Sequence, residues 1–109
     1  NAATGEFAWR VPLGLNENMP AGKQNVGSPG YGGPMVTAGG VVFIGATRDR
    51  RFRAFDSKTV KELWSVRLDY NVTAIPMTYQ GNGGKQYVAV TAATNGQGNN
   101  EALLVFALP

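Results

Sequence analysis

Apolar and polar residues alternate along most of the second half of the chain, with the period of two that is typical of β-strands. Between Arg51 and Asp56, for example, Phe52 and Ala54 fall on one face and the arginines on the other. No segment of useful length has the apolar stripe of an amphipathic helix. The sequence therefore predicts an all-β fold, with strands over residues 41–46, 51–56, 61–68, 74–80, 85–93 and 102–108.

Glycine and proline mark the connections between these strands. The sequence Gly-Asn-Gly-Gly at residues 81–84 predicts a hairpin turn, because these residues tolerate positive φ. Pro76 either places its strand at a sheet edge or begins that strand. Residues 12–34 form a long connection rich in glycine, proline and asparagine, and connections of this length are usually functional or disordered.

A short motif occurs twice. An offset of 55 residues separates Asn1 from Asp56, and the same offset separates Thr4 from Thr59 and Trp9 from Trp64. Asp or Asn can close a turn with its side chain, and the Trp that opens the next strand can pack between neighbouring sheets. Repeats of this period indicate stacked or radially arranged sheets.

Together, the strands and the repeat predict a β-propeller fragment of about two four-stranded antiparallel blades. Residues 1–13 are expected to be the outer strand of one blade, residues 34–68 one full blade, and residues 74–108 three strands of the last blade. Open sheet edges bind other strands readily. We therefore expect the edges near residues 5–13 and 102–108 to pair, either within one chain or through self-association between copies.

Composition removes several kinds of chemistry. The chain has neither Cys nor His, which excludes a His-dependent triad and a Cys nucleophile and disfavours zinc. The net charge is +3, with four arginines at positions 48, 50, 51 and 53. This cluster is either a solvated turn or a site for phosphate or an acidic surface, and one short basic run does not predict nucleic-acid binding.

Several motifs of this chain resemble those of dehydrogenases that use pyrroloquinoline quinone (PQQ). Ala54 and the segment Asp56–Trp64 resemble the tryptophan-docking motif of this family. Residues 9–14, 32–47, 52–56, 76–79, 84–88 and 106–109 resemble its membrane-associated glucose and quinate dehydrogenase branch. The resemblance covers essentially the whole chain and would place it at the C-terminal end of such a quinoprotein.

This resemblance implies an eight-bladed propeller that holds PQQ near its axis, usually with Ca²⁺. Such an enzyme oxidises a sugar or polyol, passes electrons to ubiquinone and works in the periplasm, where an upstream region would attach it to the inner membrane. The catalytic and metal-binding residues of the family lie outside the matched positions. We therefore expect the fragment alone to be inactive and to bind no cofactor, with the remaining blades as its partners.

Two positions are carried over from the family as cofactor-binding candidates, Asp49 and Asn95. Asp49 matches an acidic residue near the cofactor, although the alternative is an ordinary turn residue beside its arginines. Asn95 stands where the glucose branch has a His. Gly30 replaces an Asn of the family, and Val60 replaces the glycine of the docking turn, so that this turn is expected to differ in geometry from the first copy, which keeps Gly5.

The alternative function is a non-enzymatic propeller module for protein interaction or assembly. The assembly proteins that carry PQQ repeats share only the short docking motif. The long match over residues 32–47 favours the dehydrogenase, whereas the changes at Gly30 and Asn95 favour the module or a degenerate enzyme.

Overall fold

The computed structural model describes residues 1–93 and 101–109, and in this part of the chain eight strands form two antiparallel sheets. A 3-10 turn at Asn82–Gly84 is the one helical element there, so that no helix could cross a membrane. The strands are β1 (Met35–Val36), β2 (Val41–Ile44), β3 (Arg51–Asp56), β4 (Glu62–Arg67), β5 (Asn71–Val72), β6 (Met77–Gln80), β7 (Gln86–Ala93) and β8 (Glu101–Ala107).

The first sheet has the order β1-β2-β3-β4, so that each strand pairs with its neighbour in sequence. Phe43 lies opposite Ala54, and Ala54 lies opposite Trp64. The register shifts between Ala54 and Phe55. All four strands fall within residues 34–68, the range predicted to be one full blade.

The second sheet is built around β7. The short strand β5 pairs with the Ala92–Ala93 end of β7, and β6 pairs with its Gln86–Ala89 end, so both lie along the same edge. β8 pairs with the other edge over its whole length. The sheet is therefore three strands wide, and Pro76 directly precedes the edge strand β6, where no ladder hydrogen bond is lost.

The core lies between the two sheets. Phe52 of β3 is fully buried, and its ring stands 5.6 Å from that of Phe106 in β8. Trp64 packs edge-on against the same Phe106, with ring centroids 5.2 Å apart. Alternate residues of β7, Val88 and Val90, complete this face, as the period-two pattern predicts. Trp64 thus contacts aromatic rings of both sheets, while its side chain stays 40% exposed.

The two copies of the docking motif share the backbone hydrogen bond that closes the turn. Gly5 N–H donates to the Asn1 carbonyl at 2.8 Å, and Val60 N–H donates to the Asp56 carbonyl at 2.9 Å. The φ angles of Gly5 and Val60 are 74° and 62°. The expectation that Val60 changes the turn is therefore wrong. Because Asp56 also accepts bonds from Lys58 and Thr59, the turn keeps its geometry despite the roughly 1–2 kcal/mol strain of a left-handed Val.

No strand forms within residues 1–13 of the described chain, so that the outer strand expected there stays a prediction. A strand requires a neighbour to pair with, and no strand of the described chain pairs with this segment. Phe7 is instead 79% exposed, and the Trp9 indole N–H donates to the Ser57 carbonyl at 2.9 Å. The first motif therefore contacts the turn of the second one without joining its sheet.

Candidate functional site

The turns of the sheets gather at two opposite ends. At one end, Ser57 N–H donates to the Gly40 carbonyl, which joins the β1–β2 and β3–β4 turns. At the other end, Leu68 N–H donates to the Arg50 carbonyl, which joins the β2–β3 turn to the connection after β4. We call this second end the Asp49 end, because Asp49 lies in its β2–β3 turn.

The long connection over residues 12–34 covers the Asp49 end. Arg48 N–H donates to the Pro29 carbonyl at 3.0 Å, and Tyr31 N–H donates to the Ala46 carbonyl at 2.8 Å. Gly30 forms an isolated bridge with Thr47. A Cβ on Gly30 would stand 2.1 Å from the Ala46 carbonyl oxygen. The close approach of the two backbones therefore requires glycine where the family often has Asn.

The side chain of Asp49 is fully buried and accepts hydrogen bonds from four residues. Oδ2 accepts the Leu15 N–H at 2.8 Å, and Oδ1 accepts the Thr47 hydroxyl at 2.6 Å and the Arg51 N–H at 3.1 Å. The guanidinium of Arg53 adds bonds to both oxygens. Asp49 therefore holds the long connection, the turn and β3 together.

The electrostatics of Asp49 result from two opposing effects. Burial alone raises the pKa of this carboxyl group, because it penalises the charged form. The hydrogen bonds from Arg53, Thr47 and the two backbone N–H groups outweigh burial and lower the pKa to about 2. Asp49 is accordingly a carboxylate at all physiological pH values.

Arg53 is the residue of this site that sequence reasoning missed. It is 4% exposed, pairs with Asp49, and approaches Glu62 with Nε 3.4 Å from Oε2. The sequence does contain a signal for this residue. Arg53 follows Asp49 by four residues, and alternation places it on the face of β3 opposite to Phe52 and Ala54. A buried guanidinium needs such a partner.

The turn around Asp49 is strained. Ala46 and Arg50 have φ angles of 69° and 58°, in the left-handed region that favours glycine. Such residues persist only where the surroundings enforce them, and they concentrate at functional sites. Here the bonds of Asp49 and the bond from Leu68 N–H to the Arg50 carbonyl enforce the conformation.

A polar cavity of about 310 Å³ opens beside this turn. Its volume is at the lower end of the range for small-molecule sites. Arg48 and Asp49 line one side, and the long connection lines the other with Asn16, Asn18 and Ser28. The cavity is thus formed by the two segments that Asp49 joins.

The second candidate, Asn95, lies outside the described residues. The nearest strand residues on either side of it are Ala93 at the end of β7 and Glu101 at the start of β8. Ala92 pairs with Val72, and the Val72 side chain reaches Gly45 at the Asp49 end. The cofactor-binding roles of Asp49 and Asn95 both remain predictions.

The described residues offer no site for Ca²⁺, the metal ion that the family resemblance implies. Within residues 1–93 and 101–109, no group of three or more acidic, Cys or His side chains could hold an ion. Asp49 directs both oxygens at donors of this chain. The described residues therefore do not fit Ca²⁺, whereas the guanidinium and amides of the cavity fit the carboxylates of an organic anion.

Comparison with known proteins gives consistent matches. Residues 1–88 match the family model described as "Glucose/ethanol/alcohol dehydrogenase, beta-propeller domain", a PQQ family. The quinate/shikimate dehydrogenase (quinone) of Acinetobacter baylyi is 46% identical over 96 residues, covering 82% of this chain and 12% of that protein. Quinoprotein glucose dehydrogenase A of Acinetobacter calcoaceticus is 40% identical over 114 residues, covering 97% of this chain and 14% of that protein.

A solved structure shows a similar fold. The europium-containing methanol dehydrogenase matches 65% of this chain and 12% of its own, with a TM-score of 0.58 and 42% identity. The chain thus spans 12–14% of the length of these two curated relatives.

Proposed function

This chain belongs to the β-propeller family of PQQ-dependent dehydrogenases, and from this premise we propose that it forms part of a quinoprotein that oxidises a hydroxyl-bearing sugar, polyol or cyclitol acid. The observation that carries the proposal is the match to the family model over residues 1–88. Relatives of 40–46% identity are named as quinate/shikimate and glucose dehydrogenases.

Within such an enzyme the two sheets would be neighbouring blades. Phe52, Trp64 and Phe106 pack them against each other, which fixes the orientation of the turns at the Asp49 end. Asp49 and Arg53 then hold the long connection over that end. The role of this chain is to keep one wall of the site rigid.

PQQ, when bound, supplies an acceptor for the two electrons of the alcohol. The residues of this chain that would face an anionic cofactor or substrate are Arg48, Asn18 and Ser28, because they line the cavity with donors. The proposal further includes electron transfer to ubiquinone, an eight-bladed ring, Ca²⁺ supplied by other residues, and a periplasmic location with attachment to the inner membrane. They are supported by the relationship to the quinate and glucose enzymes.

The test is reconstitution of the full protein that contains these residues. Purified apoprotein is incubated with PQQ and Ca²⁺, and reduction of an electron-accepting dye is followed with quinate, glucose and glycerol. We expect dye reduction that requires both PQQ and one of these substrates. If PQQ binds and no hydroxyl compound reduces the dye, the protein is a propeller module without dehydrogenase activity.

A further inference from the structure

The arginines of the basic cluster differ in their partners. Arg53 pairs with Asp49, and Arg51 pairs with Glu17 at 3.1 Å. Arg48 and Arg50 are exposed and have no carboxylate within 4.0 Å in the described parts of the chain. Residues 94–100 contain neither Asp nor Glu, so that they hold no hidden carboxylate. Two of the four charges are therefore available to a ligand.

Only one of these two charges lines the cavity. Arg48 borders it together with Asn16, Asn18 and Ser28. Arg50 points elsewhere, since its Nη1 donates to the Asp69 carbonyl at 3.5 Å in the connection after β4. The strained turn thus presents two like charges in two different directions.

The carboxylates around the cavity are already neutralised. Glu17 bonds to both Arg51 and Arg67, at 3.1 and 3.3 Å, and Asp49 is held by Arg53. Counting the lining charges with their partners, and Glu62 as the second partner of Arg53, four guanidinium groups surround three carboxylates. The cavity therefore has a positive potential, and its amide and hydroxyl donors suit an oxyanion.

From this arrangement we propose that Arg48 is the charged residue of a carboxylate-binding site, formed by Arg48, Asn18 and Ser28 beside the Asp49 turn. A guanidinium binds a carboxylate through two parallel hydrogen bonds, and the rigid turn positions it in advance. The carboxylate comes from one of two sources, a hydroxy-acid substrate such as quinate or the carboxylated cofactor PQQ. The choice between these sources rests on the proposed function, whereas the site itself does not.

The experiment compares Arg48→Gln with Arg50→Gln in the full protein. Both variants remove one exposed positive charge from the same turn, so that they change the long-range field almost equally, but only Arg48 borders the cavity. Calorimetric titration measures Kd for quinate and for inositol, a neutral cyclitol that lacks the carboxylate. In a second titration, PQQ is added to the apoprotein.

We expect Arg48→Gln to weaken binding by about 10- to 100-fold, which corresponds to the loss of a charged hydrogen-bonded pair. A loss for quinate but not for inositol identifies the substrate as the source, and a loss for PQQ identifies the cofactor. Arg48→Lys should recover part of the affinity, because it restores the charge without the planar fork. Arg50→Gln should change either Kd less than about threefold, as expected for a solvent-screened charge that does not contact the ligand.

The proposal is overturned if Arg48→Gln and Arg50→Gln have equal effects in both titrations, or if quinate, inositol and PQQ bind the wild type and the Arg48 variant alike. A failure of the Arg48 proposal can be distinguished by experiment from a failure of the proposed function. An active dehydrogenase with unchanged affinities would refute the Arg48 site alone. A protein without dye reduction that loses quinate binding on Arg48→Gln would refute the activity alone.

Discussion

Replacing Asp49 by Asn should destabilise the protein more than the same substitution at an exposed Asp would. The substitution keeps the volume but removes the charge that compensates the buried Arg53 guanidinium. The pKa of about 2, against an ordinary 3.8, corresponds to about 2 kcal/mol of stabilisation at neutral pH. Leaving a buried partner unpaired costs more, about 3–5 kcal/mol, and the approach of Glu62 to Arg53 places the expected loss at the lower end.

The pH dependence gives a second, independent check. Because the pKa is lower in the folded than in the unfolded protein, the stabilisation is complete above about pH 5 and is lost progressively as pH falls through about 2. The difference in unfolding free energy between the wild type and Asp49→Asn should therefore shrink over this interval. Chemical denaturation of the full protein at pH 7, 4 and 3, followed by tryptophan fluorescence, measures both quantities.

The matched control is Asp69→Asn. Asp69 is an exposed carboxylate near the same turn and forms no ion pair in the described chain, so its replacement should change stability by less than about 0.5 kcal/mol. Equal losses for the two variants at pH 7, or a loss for Asp49→Asn that does not depend on pH, would refute the argument that the buried ion pair holds this end together.

Two further predictions concern the backbone. Val60→Gly should raise the unfolding free energy by about 1 kcal/mol, because relief of the left-handed strain exceeds the added chain entropy, and a melting temperature below that of the wild type would contradict it. Gly45→Ala should destabilise by about 1–3 kcal/mol, since its Cβ would stand 2.2 Å from the Val72 Cβ. Gly39→Ala, whose Cβ would lie 3.8 Å from the nearest atom, serves as the control in the same melting experiment.

The strands could be predicted because each one follows a local rule. The alternation at Phe52 and Ala54 places one face of β3 in the core, and the same rule applies to β7 and β8. The turn at Asp56 was harder to predict. Its sequence predicts strain at Val60, but only the whole set of hydrogen bonds shows that the turn keeps its conformation.

The site was predicted in part. Asp49 was identified through its position in a family motif, whereas the pairing of Arg53 and the cavity at Arg48 depend on how the long connection folds over the turn. Residues 12–34 have no periodicity, and although they contain local turns at residues 16–19 and 20–23, their path over the Asp49 turn is set by long-range contacts. The outer strand at residues 1–13 stays a prediction for a related reason, because the repeated motif indicates a strand but cannot supply the neighbour that it pairs with.

The hydrogen bond from Trp9 to Ser57 also has a kinetic consequence. It joins residues 48 positions apart, so that its formation carries a loop-closure cost that grows slowly with length. We expect such a non-local contact of a partly exposed side chain to be absent from the folding transition state. Its loss would therefore accelerate unfolding and leave the folding rate unchanged, which makes the repeated tryptophan a determinant of how long the folded protein lasts.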